Sequence, residues 1–138
     1  MTVLPRPTTV ADLMTIEPVV VGAGADLRDA EVLMREHHVS GLPVVDQHGR
    51  LVGVISQTDF LFLNDPETRS LIRLAPDEIR VADVMSRPPV TVSLTSSLLE
   101  AAQLMRRERI HRLVVVDSAS RPVGVLSAID YVALYAEG

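Results

Sequence analysis

Two Ser-x-x-Asp motifs, Ser56–Asp59 and Ser127–Asp130, carry side chains that could bind a nucleoside phosphate. Each follows an apolar stretch typical of a strand, and we expect a helix to start at the serine. The serine hydroxyl and free backbone N–H groups at such a start would attract phosphate, because the helix dipole favours negative charge there. The aspartate, one turn later, can accept hydrogen bonds from the two cis hydroxyls of a ribose. Thr58 adds a second hydroxyl to the first motif, where the second motif has Ile129.

The same spacing has a purely structural alternative. A Ser-x-x-Asp motif at a helix start is close to a capping box, in which the two side chains stabilise the helix with no ligand present. The sequence therefore leaves two interpretations of each motif open, a ligand site and a helix cap.

The residues before the β-rich stretch of each half differ. His111 and Arg112 precede a predicted buried strand, where large polar side chains are unusual. Arg112 could hold a phosphate through two parallel hydrogen bonds, and His111 could donate or accept one there. Ser40 and Gly41 occupy the matching places in the first half, and Gly41 offers only its backbone. We therefore predict two sites that are not equivalent, with a surface ion pair as the alternative role for Arg112.

Other chemistry is not expected. The sequence has no nucleophile–base pair, no acid pair and no Walker-type phosphate loop, so we do not expect an enzyme. Four histidines without a matching carboxylate pattern predict no metal site, and no prosthetic group is expected. Arg106, Arg107 and Arg109 lie beside Glu108 near the end of a predicted helix. We interpret them as a solvated face that the helix dipole favours.

The composition fits a cytoplasmic protein. The 138 residues include no cysteine, and 47% are hydrophobic with only 3% aromatic, so the core should be aliphatic. No apolar run approaches the roughly 20 residues that span a bilayer, and the N-terminus lacks the pattern of a signal peptide. A net charge of −5 argues against nucleic-acid binding. All 13 basic residues are arginine, which genome composition alone can explain and which also suits phosphate recognition.

The two motifs belong to two copies of one sequence unit. Residues 10–63 and 81–134 align without a gap at an offset of 71, and 23 of the 54 pairs are identical. Two such copies usually pack around a pseudo-two-fold axis, which creates two related clefts. The chain should therefore be treated as a pair of related units.

Each copy predicts the element order β-α-β-β-α, after a short helical turn that Thr9 can cap in the first copy. Short strands are expected at Val19–Val21 and Val90–Ser93, and N-caps at Asp26 and Ser97. Turn residues between two apolar runs then indicate a hairpin covered on both faces. We expect an α/β (α+β) fold with an N-terminal segment at 1–9, a unit at 10–63, a linker at 64–80 that is helical around 67–74, and a second unit at 81–138.

The second strand of each predicted hairpin begins a longer motif. Residues 53–59 are Gly-Val-Ile-Ser-Gln-Thr-Asp and residues 124–130 are Gly-Val-Leu-Ser-Ala-Ile-Asp, each shortly after a Leu-x-Val-Val-Asp strand. Repeated in tandem, this order resembles the CBS domain, which occurs in pairs known as Bateman modules. Within that family, Val39–Asp46 and Ile110–Asp117 are similar to the nucleotide-binding repeats of the AMP-activated kinase gamma subunit.

The resemblance implies a stand-alone regulatory module that binds an adenosine-containing nucleotide, most simply AMP but also ADP or ATP, in clefts between the repeats. It implies that the aspartate of each motif binds ribose, that the serine lies near phosphate, and that Val54 and Val125 line the adenine pocket. It also implies a homodimer formed through helices, which the apolar runs at 60–63 and 131–135 fit. A ligand-free interaction module and a sensor of S-adenosylmethionine or NAD remain open as alternatives.

Overall fold

The computed structural model describes residues 6–16, 19–67 and 78–137, without the side chains of 62–64 and 135–137. In chain order the elements are α1 (Val10–Leu13), β1 (Thr15–Ile16), β2 (Val21–Gly22), α2 (Leu27–His37), β3 (Gly41–Val45), β4 (Leu51–Ser56), a 3₁₀ helix (Gln57–Asn64), α3 (Val81–Val84), β5 (Thr91–Ser93), α4 (Leu98–Glu108), β6 (Arg112–Val116), β7 (Pro122–Ser127) and α5 (Ala128–Glu137). The predicted mixed α/β class, with two repeated units of order β-α-β-β-α, is confirmed.

These elements form two compact units. Val19–Pro89 makes up the central unit, and Met1–Pro18 together with Val90–Gly138 makes up the split unit. The central unit has a three-stranded sheet in the order β2-β3-β4, and the split unit has a four-stranded sheet in the order β1-β7-β6-β5. In the central unit β2 is parallel to β3, and β3 and β4 form the predicted antiparallel hairpin. In the split unit β5 is parallel to β6, and β6 and β7 form the second hairpin.

The two longer helices begin where the sequence predicts. The Asp26 carboxylate accepts a hydrogen bond from the N–H of Asp29 at 2.8 Å, and the Ser97 hydroxyl accepts one from the N–H of Glu100 at 3.0 Å. Each bond satisfies one backbone donor that the first helical turn leaves without a partner.

The strand that precedes the long helix of each copy is shorter than predicted. In the first copy this strand is β2 (Val21–Gly22), and in the second copy it is β5 (Thr91–Ser93). β2 is also one residue shorter than β5, and Pro43 explains this difference. Val114, the counterpart of Pro43, pairs with Thr91 and extends the second ladder by one position. Pro43 has no N–H to donate, so the ladder of the central unit begins one residue later.

The short helix α1 follows Thr9 as predicted, but the cap comes from Asp12. Its carboxylate accepts hydrogen bonds from the N–H groups of Thr8 and Thr9, each at 3.1 Å. These bonds hold the pKa of Asp12 below its ordinary value, with the N–H of Thr9 as the largest cause. Asp83 makes the matching bond before α3, to the N–H of Arg80 at 3.0 Å.

The last helix of each copy begins one residue after the predicted serine. Ser56 and Ser127 are the final residues of β4 and β7, and the helices start at Gln57 and Ala128. The first of them is a 3₁₀ helix and the second an α-helix. Most of the predicted helix at 67–74 and the first five residues of the N-terminal segment lie outside the described residues.

The compact units do not coincide with the two sequence copies. α1 and β1 come from the first copy but join the split unit, where Thr15 pairs with Val125. α3 comes from the second copy but joins the central unit, where the N–H of Val81 donates to the carbonyl of Ala25 at 2.9 Å. Val10 and Val81 are fully buried, each in a core formed mainly by the other copy.

Candidate functional site

The register of β6 and β7 brings the predicted site residues of the split unit onto one side of the hairpin. Arg112 lies opposite Ser127, and Val114 lies opposite Val125. Opposed residues of antiparallel strands project to the same side, and residues two apart share that side. We call these four residues the split-unit face. The intervening residues, such as the fully buried Leu113, point to the core on the other side.

The central unit repeats this arrangement with different side chains. Gly41 lies opposite Ser56, and Pro43 lies opposite Val54. We call these four residues the central-unit face. A Cβ added to Gly41 would lie 3.2 Å from the carbonyl oxygen of Ile55, a tight contact that would require a small shift of this neighbour. Because residue 41 is glycine, the central-unit face has no side chain in the position that Arg112 occupies on the split-unit face.

The aspartate of each motif bonds back to its own serine. Asp130 accepts hydrogen bonds on Oδ2 from the N–H of Ser127 at 2.8 Å and from its hydroxyl at 3.1 Å. Asp59 accepts the equivalent bonds from Ser56 at 2.8 and 3.3 Å. Thr58 adds a hydrogen bond of 2.8 Å between its hydroxyl and that of Ser56. The capping arrangement that the sequence left open is therefore formed in both copies.

A cap of this kind does not exclude a ligand. Both carboxylates are half-buried, and in each of them the hydrogen bonds from the serine go to the same oxygen atom, Oδ2. Within the described part of the chain, Oδ1 of Asp59 and of Asp130 accepts no hydrogen bond. The cap fixes the rotamer of each carboxylate and leaves its second oxygen available to a hydroxyl donor such as ribose.

The first N–H group after each serine is not free, which corrects part of the expectation. The N–H of Ser127 is bonded to Asp130, and the N–H of Ala128 donates to the carbonyl of His111 at 2.8 Å. In the central unit the N–H of Gln57 donates in the same way to the carbonyl of Ser40 at 3.0 Å. These bonds close the end of each hairpin. An anion at this position therefore depends more on side chains than the sequence suggested.

The remaining predicted residues lie around these faces. Ser40 and His111 are exposed immediately before β3 and β6, and Arg112 is exposed at the start of β6. Val54 and Val125 are half-buried in the middle of β4 and β7, as a wall for a planar base would require. The structure thus places Gly41 and the predicted polar residues at or beside one end of the hairpin of their copy, with Val54 and Val125 two residues further along β4 and β7.

Thr15 and Ser86 lie beside the candidate sites and were missed by the sequence interpretation. Thr15 is the partner of Val125 across β1 and β7. Ser86 exchanges two backbone hydrogen bonds with Val54, at 3.0 and 2.9 Å. Both hydroxyl residues therefore stand next to the proposed adenine wall. Thr15 and Ser86 hold the same position in the two sequence copies. A hydroxyl residue at this position in both copies was the sequence signal that could have identified them.

Tyr131 distinguishes the helix that carries Asp130. Its hydroxyl donates to the carbonyl of Leu98 at 2.7 Å and so ties α5 to the first turn of α4. Burial is the main cause that raises the pKa of Tyr131 above its ordinary value of 10.0, and the charge of Asp130 adds to it. Phe60 holds the matching position of the first copy and has no hydroxyl.

Among the described residues, no group of three or more histidine, cysteine or acidic side chains is arranged to hold a metal ion. No helix in the described ranges is both long and apolar enough to cross a membrane.

The motifs and the fold identify the family. The profile of the CBS domain matches residues 10–64 and 81–137, which together make up most of the chain. The chain therefore belongs to the CBS-domain family, and it contains a tandem pair of these domains. The two matched segments correspond to the two sequence copies.

Comparison with solved structures supports this assignment. The structure of CBSX2 in complex with AMP has a TM-score of 0.79 and 34% sequence identity, covering 94% of this chain and 96% of that one. The cytosolic domain of the Mg²⁺ channel MgtE in complex with ATP has a TM-score of 0.75 and 30% identity, covering 92% of this chain and 48% of that one. Two CBS-pair structures similar to this chain therefore hold adenine nucleotides.

Curated relatives include large enzymes. Homoserine O-acetyltransferase of Methanocorpusculum labreanum is 33% identical over 122 residues, which are 88% of this chain and 23% of that protein. The chain thus spans less than a quarter of the length of this relative, and the similarity is confined to a CBS-sized part of it.

Proposed function

We propose that this CBS pair is a regulatory module that binds an adenine nucleotide, most simply AMP, and has no catalytic activity of its own. The observation that carries the proposal is the split-unit face, where Arg112 and Ser127 lie opposite each other beside the capped carboxylate of Asp130. A guanidinium suited to phosphate and a carboxylate oxygen suited to ribose are thereby held at one end of one hairpin.

The similar structures support adenine as the base. CBSX2 holds AMP and the MgtE domain holds ATP, and each covers more than nine tenths of this chain. Half-buried Val54 and Val125 offer an apolar surface of the kind that a base stacks against. AMP is the simplest ligand with all three recognised parts, and ADP and ATP share them.

A thermal and calorimetric titration tests the proposal. The purified chain is melted with AMP, ADP, ATP, S-adenosylmethionine and NAD, and each ligand that shifts the melting temperature is titrated by calorimetry. A ligand at 100 times its Kd should stabilise the fold by about 2.7 kcal/mol. Stabilisation by AMP supports the proposal. Stabilisation by only S-adenosylmethionine or NAD would replace the ligand, and no shift with any compound would favour a ligand-free interaction module.

We further propose that two copies of the chain associate through helix α5 and that the nucleotide acts on this association or on a regulated partner protein. Ile129 and Val132, one turn apart on α5, are 73% and 60% exposed, which is high for large apolar side chains. Tyr131 and Leu134 on the same helix are half-buried against the core and do not contribute to this surface. In the first copy Leu61 is also exposed, and the side chains of residues 62, 63 and 135 lie outside the described set.

Light scattering on the wild type and on Val132→Glu tests this association. The wild type should have the mass of a dimer at micromolar concentration, and the variant that of a monomer with an unchanged fold. Gln103→Glu, which adds the same charge at an exposed position of α4, is the control. A monomeric wild type would contradict the proposed dimer.

A further inference from the structure

The two candidate sites differ in charge at the end of the hairpin where phosphate would bind. The segment that leads into the split-unit face, residues 106–112, contains four arginines and one glutamate. The matching segment of the first copy, residues 35–41, contains one arginine and one glutamate. With histidine neutral, the formal charges are +3 and 0. All four arginines of the second segment are exposed in the structure, at positions 106, 107, 109 and 112.

These charges are close enough to act on a bound anion. Arg112 lies directly opposite Ser127. Arg109 is three residues earlier in the chain, so its Cα lies no more than about 11 Å from that of Arg112, a distance comparable with the screening length at 0.1 M salt. Arg107 lies 3.8 Å from the carboxylate of Glu108, but both side chains are largely exposed, so this pair removes little of the positive field.

Within the described part of the central unit, no arginine takes the place of Arg112. Gly41, which has no side chain, stands where the split unit has Arg112. Arg87 is an arginine of the central unit that follows Ser86, the antiparallel partner of Val54. Because the partner chain runs antiparallel, residues after Ser86 lead away from Ser56 along β4. Arg87 is therefore at the wrong end of the hairpin to replace Arg112.

We infer that the two sites discriminate ligands by phosphate charge. The Ser127–Asp130 site binds phosphorylated nucleotides, more tightly with each added phosphate, and the Ser56–Asp59 site binds adenosine at least as well as AMP. This inference rests on the proposed nucleotide binding and adds which site recognises the phosphate. At Ser56–Asp59 the hydroxyls of Ser56 and Thr58 bond to each other, and the nearby carboxylate repels phosphate. No described residue at this end of the central hairpin is an arginine that could compensate it.

Single-site variants test the inference. Asp59→Ala leaves only the Ser127–Asp130 site, and Asp130→Ala leaves only the Ser56–Asp59 site. Each is titrated with adenosine, AMP and ATP by calorimetry at low and at moderate salt. In Asp59→Ala, AMP should bind at least about tenfold more tightly than adenosine, because a hydrogen bond to a charged group contributes on that order. That preference should weaken with salt. In Asp130→Ala, AMP should bind no more tightly than adenosine.

Charge variants at the surface provide the matched control. Arg112→Gln, in the Asp59→Ala background, should remove the preference for AMP and leave the affinity for adenosine unchanged. The Arg106→Gln, Arg107→Gln and Arg109→Gln triple variant should weaken ATP several-fold more than adenosine. Arg121→Gln changes the same charge at the opposite end of the hairpin and should have no effect on either ligand.

The outcomes separate this inference from the proposed function. Equal AMP-to-adenosine ratios in the two single-site variants, or a phosphate preference confined to Asp130→Ala, would overturn the inference and leave nucleotide binding intact. Absence of binding by the wild type would overturn the proposed function itself. If circular dichroism shows that either alanine variant is unfolded, Arg112→Gln in the otherwise wild-type chain is titrated in its place. This variant should lose the preference for AMP over adenosine at one of its two sites, and an unchanged preference would overturn the inference.

Discussion

Tyr131 and Leu98 are joined by a hydrogen bond of 2.7 Å, in which a phenol hydroxyl on α5 donates to a backbone carbonyl at the start of α4. The two residues are 33 positions apart, so the bond fixes the helix that carries Asp130 against another element of the same core. The first copy has no such tether, because Phe60 replaces the tyrosine.

Tyr131→Phe should destabilise the protein by about 1 kcal/mol, the net contribution of one hydrogen bond. The ring keeps its packing in this variant, so the loss reports the hydroxyl. Urea unfolding followed by circular dichroism measures the change. Phe60→Leu, which alters the matching ring without removing a hydroxyl, is expected to change stability through packing alone and to show no pH dependence of the kind described next.

The tether also predicts a dependence on alkaline pH. Burial, with a smaller contribution from Asp130, raises the pKa of Tyr131 in the folded state above 10.0. A group with a raised folded pKa adds stability that is fully present below the unfolded pKa and is lost as the pH rises through the folded pKa. The stability of the wild type should therefore fall above about pH 10 relative to Tyr131→Phe. Parallel curves for the two proteins between pH 8 and 11 would contradict the assignment.

Asp130→Ala and Asp130→Asn should separate the helix cap from the ligand contact. The alanine variant loses both bonds from Ser127, and it should be less stable by about 1 kcal/mol and bind no nucleotide at that site. Asparagine retains an oxygen acceptor for the N–H of Ser127, so the cap and most of the stability should remain. The neutral amide is a weaker partner for ribose hydroxyls, and nucleotide affinity should fall. Unchanged calorimetric titrations for both variants would leave the motif with a capping role only.

Gly124→Ala should be destabilising because β1 and the residue before it lie in close contact with this glycine. An added Cβ would lie 2.8 Å from the carbonyl oxygen of Thr15 and 2.5 Å from the sulfur of Met14. Overpacking of this kind costs about 1–3 kcal/mol. Gly24→Ala, where no atom lies within 4 Å of the added Cβ, is the control and should be neutral or slightly stabilising. Thermal unfolding of the two variants measures the difference, and equal melting temperatures would contradict the predicted clash.

The two hairpin turns offer a reciprocal exchange. Gly49 and Ser120 hold the same position of the two turns, with φ of 80° and 63°. This left-handed conformation costs an L-residue roughly 1–2 kcal/mol, and glycine adopts it without that penalty but loses about 0.5–1 kcal/mol of chain entropy on folding. Ser120→Gly should therefore raise stability slightly, and Gly49→Ser should lower it by about 1 kcal/mol. Shifts of the same sign in the two variants, measured by chemical unfolding, would contradict this account.

Local features of the fold were predictable from the sequence because their signals are local. Asp26 and Ser97 precede apolar residues at helical spacing, and both cap the helices that follow. The hairpins follow from turn residues between apolar runs, and their existence was predicted correctly. Asp12 was missed as the cap of α1 because Thr9 is the usual residue type at that position, and the choice between the two depends on side-chain rotamers.

Long-range pairing could not be predicted in the same way. Nothing near Thr15 or Val125 in the chain indicates that they pair, since the partners are more than a hundred residues apart. The N–H of Ala128 donates to the carbonyl of His111, and this bond depends on the hairpin register rather than on either residue type. The hairpin register brings the predicted site residues together, whereas Thr15 and Ser86 reach the sites through separate pairings with Val125 and Val54.

The exchange of α1 and α3 between the two copies has a consequence for how the gene can be divided. A cut at the edges of the repeat, before Val81, removes a fully buried valine from the central unit and leaves a gap in its core. Cuts at both borders of the compact units, between Pro18 and Val19 and between Pro89 and Val90, release the central unit with its core intact. Either cut alone separates Val10 from the rest of the split-unit core, so the two segments of that unit must stay joined. The boundaries of the duplicated sequence unit and of the compact unit therefore differ. Fragments for expression, fusion or permutation should follow the boundaries of the compact units.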